Sequence, residues 1–275
     1  MYLRPKTLEE AVALLAVPGG QVLAGGTDFY PALGDRFPQG LTVDITALGE
    51  IRGISFESEW VRIGGLTTWT ELIRTELPRC FDGLKAAARE VGSVQIQNRG
   101  TVAGNLCNAS PAADGVPPLL ALDAEVELVS AVGRRRMALG EFVAGNRKTL
   151  RRADEILAAV QVPRRMENAA SAFLKLGARK YLVISISMVA AVVQVEAGRV
   201  MQARVAVGSC AARAVRLREL EAALAGGPSA GIGGAVRAEH LAGLAPIDDV
   251  RATAEYRRDA SLTLVRRALE SCVGK

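Results

Sequence analysis

Side chains that commonly bind metals or stack on nucleic-acid bases are scarce in this sequence. Its 275 residues include one histidine, four cysteines and only 4% aromatic residues. The cysteines, Cys80, Cys107, Cys210 and Cys272, are far apart and form no C-x-x-C pair. Because zinc and iron–sulfur sites need clustered cysteine or histidine ligands, we predict no metal site within this chain.

Long uninterrupted hydrophobic stretches are also missing. The longest apolar run, YLVISISMVAAVVQV at 181–195, contains two serines and many β-branched residues, which favours a buried strand over a membrane helix. The N-terminus, MYLRPKTLEE, lacks the apolar core of a secretory signal. We therefore expect a cytoplasmic protein that does not contact a membrane.

The positive charge is modest and lies in short clusters. The formal net charge is +5, and arginines cluster at 134–136, 147–152 and 164–165. No aromatic residues alternate with these arginines, as they would on a base-stacking surface. Solvated turns or protein contacts are favoured, so nucleic acid is not an expected partner. A scaffold or nucleic-acid-binding protein that uses these clusters is the non-enzymatic alternative.

The pattern of elements changes near residue 165. Before it, short strands such as LTVDIT alternate with helices, and Thr7 and Thr68 each begin a helix with a glutamate three residues later. After it, residues 171–210 predict three antiparallel strands, and mainly helical sequence follows. We predict an α+β fold with a C-terminal domain at 166–275, in which a three-stranded antiparallel sheet packs with helices.

Two loops are built from unusually small residues. In the run RGTVAGNLCNASPAAD at 99–114, twelve of the sixteen residues are Gly, Ala, Ser, Thr, Asn, Asp or Pro, and VLAGGTD at 22–28 is similar. Glycine lets main-chain amides approach a ligand closely, and successive amides can bind an anion. Neither loop is a G-x-G-x-x-G or P-loop motif, so two ligand-free turns remain an alternative.

These loops, together with two later segments, resemble a known family. LAGGTDFYP, GTVAGNLCNASPAAD, DEILAAVQVP and AFLKLGARK follow the order and approximate spacing found in the FAD-binding medium subunit of molybdenum hydroxylases. This is the group of xanthine dehydrogenase and aerobic carbon monoxide dehydrogenase. The resemblance extends from residue 1 to about 210, and GTVAGNLCNASPAAD is its most specific part.

The resemblance implies a fold and a cofactor site. The fold would be a two-subdomain FAD-binding domain of the vanillyl-alcohol-oxidase type at 1–165, with subdomains at about 1–55 and 56–165, before the C-terminal domain. The implied FAD-binding residues are Val22, Leu23, Ala24, Gly25, Gly26, Thr27, Asp28, Val91, Thr101, Val102, Ala103, Gly104, Asn105, Asp114, Leu157, Lys175 and Tyr181.

Individual roles follow from the same resemblance. The 24–28 and 101–105 loops would hold the FAD diphosphate from two sides, and Asp114 would hydrogen-bond the cofactor. Lys175 would place a cation near the flavin ring, where it would stabilise the anionic reduced form. Tyr181 would either cover the ring or be a core residue. No catalytic acid or base is expected on this chain.

Two other side chains that could be reactive are interpreted as structural. Cys107 has no neighbouring base in the sequence and is interpreted as a packing residue within the FAD loop. His240 is interpreted as an exposed helix residue. Neither is expected to take part in chemistry.

The implied function is electron transfer within a complex. A large molybdenum-cofactor subunit would oxidise the substrate, and a small 2Fe–2S subunit would pass the electrons to FAD on this chain. NAD⁺, O₂ or another acceptor would then receive them, and a dimer of heterotrimers is the expected assembly. The substrate would be determined by the molybdenum subunit. A stand-alone FAD oxidase or reductase of the same fold is the alternative.

Overall fold

A computed structural model describes residues 1–274 and has the mixed α+β architecture that the sequence predicts. Within these residues, the strands form a three-stranded sheet in the order β1-β3-β2 and a five-stranded sheet in the order β4-β5-β10-β6-β7. A four-stranded sheet in the order β11 (Ala170–Leu176), β12 (Ser187–Glu196), β13 (Arg199–Gly208) and β14 (Val215–Arg216) and a β8-β9 pair are also present. The strands before residue 165 are β1 Tyr2–Leu3, β2 Gly20–Leu23, β3 Leu41–Asp44, β4 Ile54–Phe56, β5 Trp60–Gly64, β6 Glu125–Ser130, β7 Gly133–Ala138, β8 Val143–Gly145, β9 Lys148–Thr149 and β10 Ile156–Pro163.

The first sheet is parallel, and helix α1 (Leu8–Leu15) packs on it. Thr7 begins α1 by accepting a hydrogen bond from the amide of Glu10, which confirms the predicted helix start. Buried apolar residues of α1, including Val12, share a core cluster with Val43 of β3 and with residues of the second sheet. This shared core fixes the position of the loop after β2.

Helices pack against the second, antiparallel sheet and carry the second small-residue loop. Thr68 and Glu71 form the predicted capping box at the start of α3. The helices before residue 165, besides α1, are α2 Phe29–Leu33, α3 Trp69–Arg74, α4 Asp82–Glu90, α5 Val94–Arg99, α6 Val102–Asn108, α7 Val116–Ala121 and α8 Leu139–Phe142, and 3₁₀ turns lie at Gly49–Ile51, Arg79–Phe81 and Arg164–Met166.

Residues 102–108 of the run at 99–114 form helix α6, whereas the sequence indicated a glycine turn. Thr101 is the N-cap of α6, and its side chain accepts a hydrogen bond from the Gly104 amide. Ala109 ends the helix in a left-handed conformation, with a φ of 46°. The glycine lowers helix propensity locally, but the threonine cap and the burial of Leu106 compensate for it.

The C-terminal sheet differs from the prediction in three respects. Of the run at 181–195, predicted as one buried strand, only the part from Ser187 onward forms a strand, and Tyr181, Leu182 and Ile184 before it are exposed. The strands are β11 Ala170–Leu176, β12 Ser187–Glu196, β13 Arg199–Gly208 and β14 Val215–Arg216, so a short fourth strand joins the three predicted ones. The helices are α9 Arg218–Leu224 and α10 Ala254–Val273. The segment GAVRAEHLAGL (234–244), predicted as a helix, instead contains the end of a 3₁₀ turn at Ile232–Ala235 and a second 3₁₀ turn at Ala238–Leu241. His240 lies in the second turn, half-buried, and its Nδ1 accepts from the Arg237 amide.

The two parts of the chain pack together tightly across residue 165. The main core cluster contains residues of the second sheet and also Met188 and Val192 of β12. Asp123, in the turn between α7 and β6, accepts charged hydrogen bonds from Arg165 (2.9 Å), Arg204 (2.6 Å) and Arg216 (2.7 Å). Arg204 and Arg216 belong to the C-terminal sheet, so this cluster joins the sheet to the N-terminal part. The predicted domain boundary stays a prediction.

Candidate functional site

A cavity of about 510 Å³ lies where the two small-residue loops meet. Its size is in the ordinary range for cofactor sites. The structure brings most of the predicted FAD-binding residues to this one cavity. Those that line it are Val22, Ala24, Gly25, Gly26, Thr27, Asp28, Val91, Thr101, Ala103, Gly104, Asn105 and Leu157.

The two loops face each other at very short range. A Cβ atom built on Gly25 would overlap the main-chain carbonyl oxygen of Arg99, so only glycine fits at this position. Gly26 follows with a φ of 77°, a conformation that side chains with a Cβ rarely adopt. The first loop therefore needs small residues for two reasons: the second loop packs directly against it, and a ligand must fit between them.

Several main-chain amides at this junction have no acceptor within the protein. Among the hydrogen bonds of residues 1–274, none is donated by the amides of the 25–28 segment or by the amide of Ala103. The neighbouring amides differ, because Val102 donates to the Thr67 carbonyl (2.9 Å) and Gly104 donates to Thr101 Oγ1 (3.0 Å). Unpaired amides on both sides of one cavity form a donor set for an anionic ligand.

The cavity has few charged side chains that could bind an anion in place of those amides. Its charged lining residues are Asp28, Arg151 and Glu155. Arg151 Nη1 donates to the main-chain carbonyl of Glu155 (2.6 Å), and Arg135 donates to both oxygens of the Glu155 carboxylate (2.6 and 2.9 Å). Burial would raise the pKa of Glu155, but the hydrogen bonds from Arg135 and the Arg152 amide, together with the charges of both arginines, outweigh burial and lower that pKa.

One side chain in the cavity wall is positioned to accept a hydrogen bond. Asn105 Oδ1 is buried and has no partner within residues 1–274. Buried polar atoms in folded proteins are nearly always paired, so this atom indicates a missing donor. Gly104 precedes Asn105 in α6, and apart from the helix backbone a Cβ there would meet only Thr101 Oγ1 within 4 Å.

The predicted residues Asp114 and Lys175 come together outside this cavity. Lys175 Nζ lies 2.8 Å from Asp114 Oδ2, and Ser185 Oγ donates to Asp114 Oδ1 at 2.8 Å. Burial raises the pKa of Asp114, although the Lys175 ammonium opposes that change. Sequence reasoning missed Ser185, because nothing in the sequence links it to Asp114. Lys175 borders a separate cavity of about 440 Å³ that also contacts Glu90 and Arg179.

Three other predicted residues lie elsewhere. The side chains of Leu23 and Val102 are buried in the protein and do not line the cavity. Tyr181 is 64% exposed, and the Lys180 ammonium lies 5.2 Å from its ring centroid. The interpretation of Tyr181 as a core residue is therefore wrong, and its role in covering a flavin ring stays a prediction.

Sequence reasoning also missed several lining residues. Gly65 follows β5 in the sequence IGGL, and a Cβ there would overlap the carbonyl oxygen of Leu157. Its signal was the same double glycine after a strand that identified the first loop. Trp69 and Arg151 also line the cavity, but neither has a local pattern that marks it.

Cys107 is expected to be chemically inert in the folded protein. It lines the cavity, and desolvation raises its pKa to about 11. At pH 8 only about one such thiol in a thousand is ionised, and the thiolate is the reactive form. Iodoacetamide at pH 8 should therefore label Cys107 far more slowly in the native chain than in urea, as measured by peptide mass spectrometry. Equal rates in both conditions would contradict the packing interpretation.

The described part of the chain offers neither a metal centre nor a membrane span. Within residues 1–274, no group of three or more His, Cys, Asp or Glu side chains is arranged to hold a metal ion. No helix in the same range has both the length and the apolar character needed to cross a bilayer.

Comparison with protein families gives two matches that together cover nearly the whole chain. Residues 1–165 match the family described as the FAD binding domain in molybdopterin dehydrogenase. Residues 172–272 match the CO dehydrogenase flavoprotein C-terminal domain.

Individual relatives are subunits of enzymes that are named for different substrates. The chain is 34% identical to the putative xanthine dehydrogenase FAD-binding subunit of Escherichia coli K12, over 99% of this chain and 95% of that one. It is 31% identical to the carbon monoxide dehydrogenase medium chain of Hydrogenophaga pseudoflava, over 98% and 96%. The nicotinate dehydrogenase FAD-subunit of Eubacterium barkeri is 41% identical, but the match covers 67% of this chain and 65% of that subunit.

Solved structures show the same fold over the whole length. A carbon monoxide dehydrogenase structure from Hydrogenophaga pseudoflava superposes with a TM-score of 0.88 at 30% identity, covering 98% of this chain and 96% of that one. Quinoline 2-oxidoreductase from Pseudomonas putida 86 gives a TM-score of 0.89 at 25% identity, with coverages of 99% and 96%.

Proposed function

Because the chain belongs to the family of FAD-binding subunits of molybdenum hydroxylases, the group of xanthine dehydrogenase and carbon monoxide dehydrogenase, we propose that it binds FAD in the 510 Å³ cavity and transfers electrons within a multi-subunit dehydrogenase. One observation carries the proposal most directly. Unpaired amides of two separate loops face one cavity that has almost no positive side chains.

The residues present fit the diphosphate of FAD. The amides of 25–28 would donate from one side and the Ala103 amide from the other, while Gly104 leaves room for the phosphate oxygens. Asn105 Oδ1 would accept from a hydroxyl or N–H group of the cofactor. When bound, FAD supplies a carrier that exchanges electrons singly or in pairs. The protein contributes binding, orientation and electrostatic environment.

Lys175 is proposed as the residue that adjusts the charge near the flavin ring. Asp114 and Ser185 form a buried hydrogen-bonded group that holds its ammonium in one place. A fixed cation favours added negative charge nearby without any rearrangement. The assignment of Asp114 and Tyr181 to the cofactor site, like that of Lys175, rests on the family resemblance together with this geometry.

The remaining assignments concern the domain boundaries of this chain and the composition of the complex. We place the FAD-binding domain at 1–165, of the vanillyl-alcohol-oxidase type, and the C-terminal domain at 166–275. The partners would be a large molybdenum-cofactor subunit and a small 2Fe–2S subunit, in a cytoplasmic dimer of heterotrimers. The final acceptor would be NAD⁺, O₂ or another oxidant. The medium-chain name of one relative supports a three-subunit complex.

Affinity purification of the tagged chain from its native host tests this proposal. The expected product is a yellow complex in which one large and one small subunit accompany the chain, with iron and molybdenum found by metal analysis. A flavin-loaded single chain with full substrate turnover would instead support the stand-alone oxidase. A colourless chain that binds DNA at physiological salt would support the non-enzymatic alternative.

A further inference from the structure

A second cavity of about 380 Å³ adjoins the proposed FAD cavity and has a different chemistry. Gly25 and Thr101 line both cavities, so they form a common wall. Three arginines from separate segments of the chain are among its lining residues, namely Arg4, Arg52 and Arg99. We propose that this second cavity binds a multiply charged oxyanion of the phosphate class, distinct from the FAD diphosphate.

The three guanidinium groups retain free donors. Arg99 has no ion pair or side-chain hydrogen bond among residues 1–274. Arg52 donates only its Nε, to Glu71 at 2.8 Å, which leaves its two terminal nitrogens available. Arg4 Nε lies 3.8 Å from Asp44 Oδ2, too far for a hydrogen bond. Guanidinium forks match phosphate oxygens in geometry as well as charge.

The acidic groups nearby are already occupied. Asp44 accepts from the Tyr2 hydroxyl and from the Thr46 amide (2.8 Å). The Glu71 carboxylate accepts from the Thr68 amide (2.8 Å) and hydroxyl (3.0 Å), as well as from Arg52. Since Asp44 is the one carboxylate among the lining residues, the three arginines leave the lining with an excess of positive charge.

A neutral donor completes the set. Asn98 Oδ1 accepts from Thr70 Oγ1 at 2.7 Å, which leaves the amide NH₂ group of Asn98 as a donor at the cavity. The cavity lining therefore includes three arginines and a neutral donor residue. The first cavity, in contrast, has mainly main-chain donors. Each cavity suits a different anion.

Titration calorimetry with the full-length, FAD-loaded chain tests the site. The probes are inorganic pyrophosphate, inorganic phosphate and ADP, each at 150 mM NaCl so that weak surface binding is screened. We expect one pyrophosphate per chain. Arg99→Gln should weaken its binding at least about tenfold, which corresponds to about 1.4 kcal/mol. Arg258→Gln is the matched control, because Arg258 is exposed on α10 and outside the cavity, and it should bind as the unmodified chain does.

The probes distinguish the source of the phosphate. ADP binding at least about tenfold tighter than pyrophosphate would assign the site to a nucleotide, and equal affinities would assign it to the phosphate groups alone. Flavin absorbance is recorded for each sample, so failure to bind FAD is detected separately and counts against the proposed function instead.

Three results would overturn the inference. The first is no stoichiometric pyrophosphate binding by the FAD-loaded chain. The second is unchanged binding in Arg99→Gln, or release of FAD by pyrophosphate, because the anion would then occupy another place. The third combines two observations: the complex purified with Arg99→Gln lacks the small 2Fe–2S subunit, and the unmodified chain binds no anion. That result would assign the arginines to a protein contact.

Discussion

Gly104→Val is expected to lower FAD affinity by about two orders of magnitude, or about 2.7 kcal/mol, in a chain that still folds. Gly104 is the third residue of α6, and a Cβ there lies in open space except for Thr101 Oγ1 at 2.8 Å. The branched side chain would occupy the space between the Ala103 amide and the opposite loop. It would also disturb the Thr101 cap, which contributes about 1 kcal/mol.

The measurement combines flavin content with thermal unfolding. Excess FAD should raise the melting temperature of the unmodified chain, because a ligand that binds only the folded state stabilises it. The melting temperature of Gly104→Val should not respond. Gly140→Val is the matched control, since Gly140 is an exposed helical glycine whose Cβ would make only an ordinary contact with Leu120, at 3.6 Å. Normal flavin content in Gly104→Val would refute the placement of the diphosphate.

Asp123→Asn is expected to destabilise the whole chain by about 3–5 kcal/mol, the usual effect of removing one partner from a buried charge cluster. Arg204 and Arg216 have side chains only 14% and 8% exposed, and both donate to Asp123. Asparagine keeps the size of the side chain and tolerates the positive φ of 52° at this position. The loss would therefore come from charge, since the arginines would repel each other without the carboxylate.

Urea unfolding at pH 7 measures this effect, with Asp259→Asn as the control. Asp259 is exposed on α10, so its replacement should change the free energy of unfolding by less than about 0.5 kcal/mol. A loss below about 1 kcal/mol in Asp123→Asn would show that the cluster is largely solvated.

The effect of Asp123 should also depend on pH. Burial would raise its pKa, but the hydrogen bonds from Arg216 and Arg165 and the charges of Arg216 and Arg204 together outweigh burial and lower the pKa. A carboxylate with a lowered folded-state pKa stabilises the protein above its unfolded pKa, and this contribution declines as the pH falls toward the folded value. The stability difference between the unmodified chain and Asp123→Asn should therefore be full at pH 7 and decrease below about pH 4.

Much of the local structure was predictable because its signals lie close together in the chain. The caps at Thr7 and Thr68 depend on residues three positions away, and both helices begin where the sequence predicts. The start of α6 was missed because its glycine suggested a turn, although Thr101 is a normal N-cap residue. Strand β14 has two residues, too few for any periodic pattern.

The sequence by itself determined where the backbone carries small residues, and therefore where a ligand or another loop can approach it closely. Only the tertiary structure decided which amides there remain free, because the Val102 amide is paired by Thr67 of a different segment while the Ala103 amide is not. It likewise decided that Ser185 joins Asp114 and Lys175. Hydrogen-bond partners of this kind depend on the packing of distant segments, which no local sequence pattern encodes.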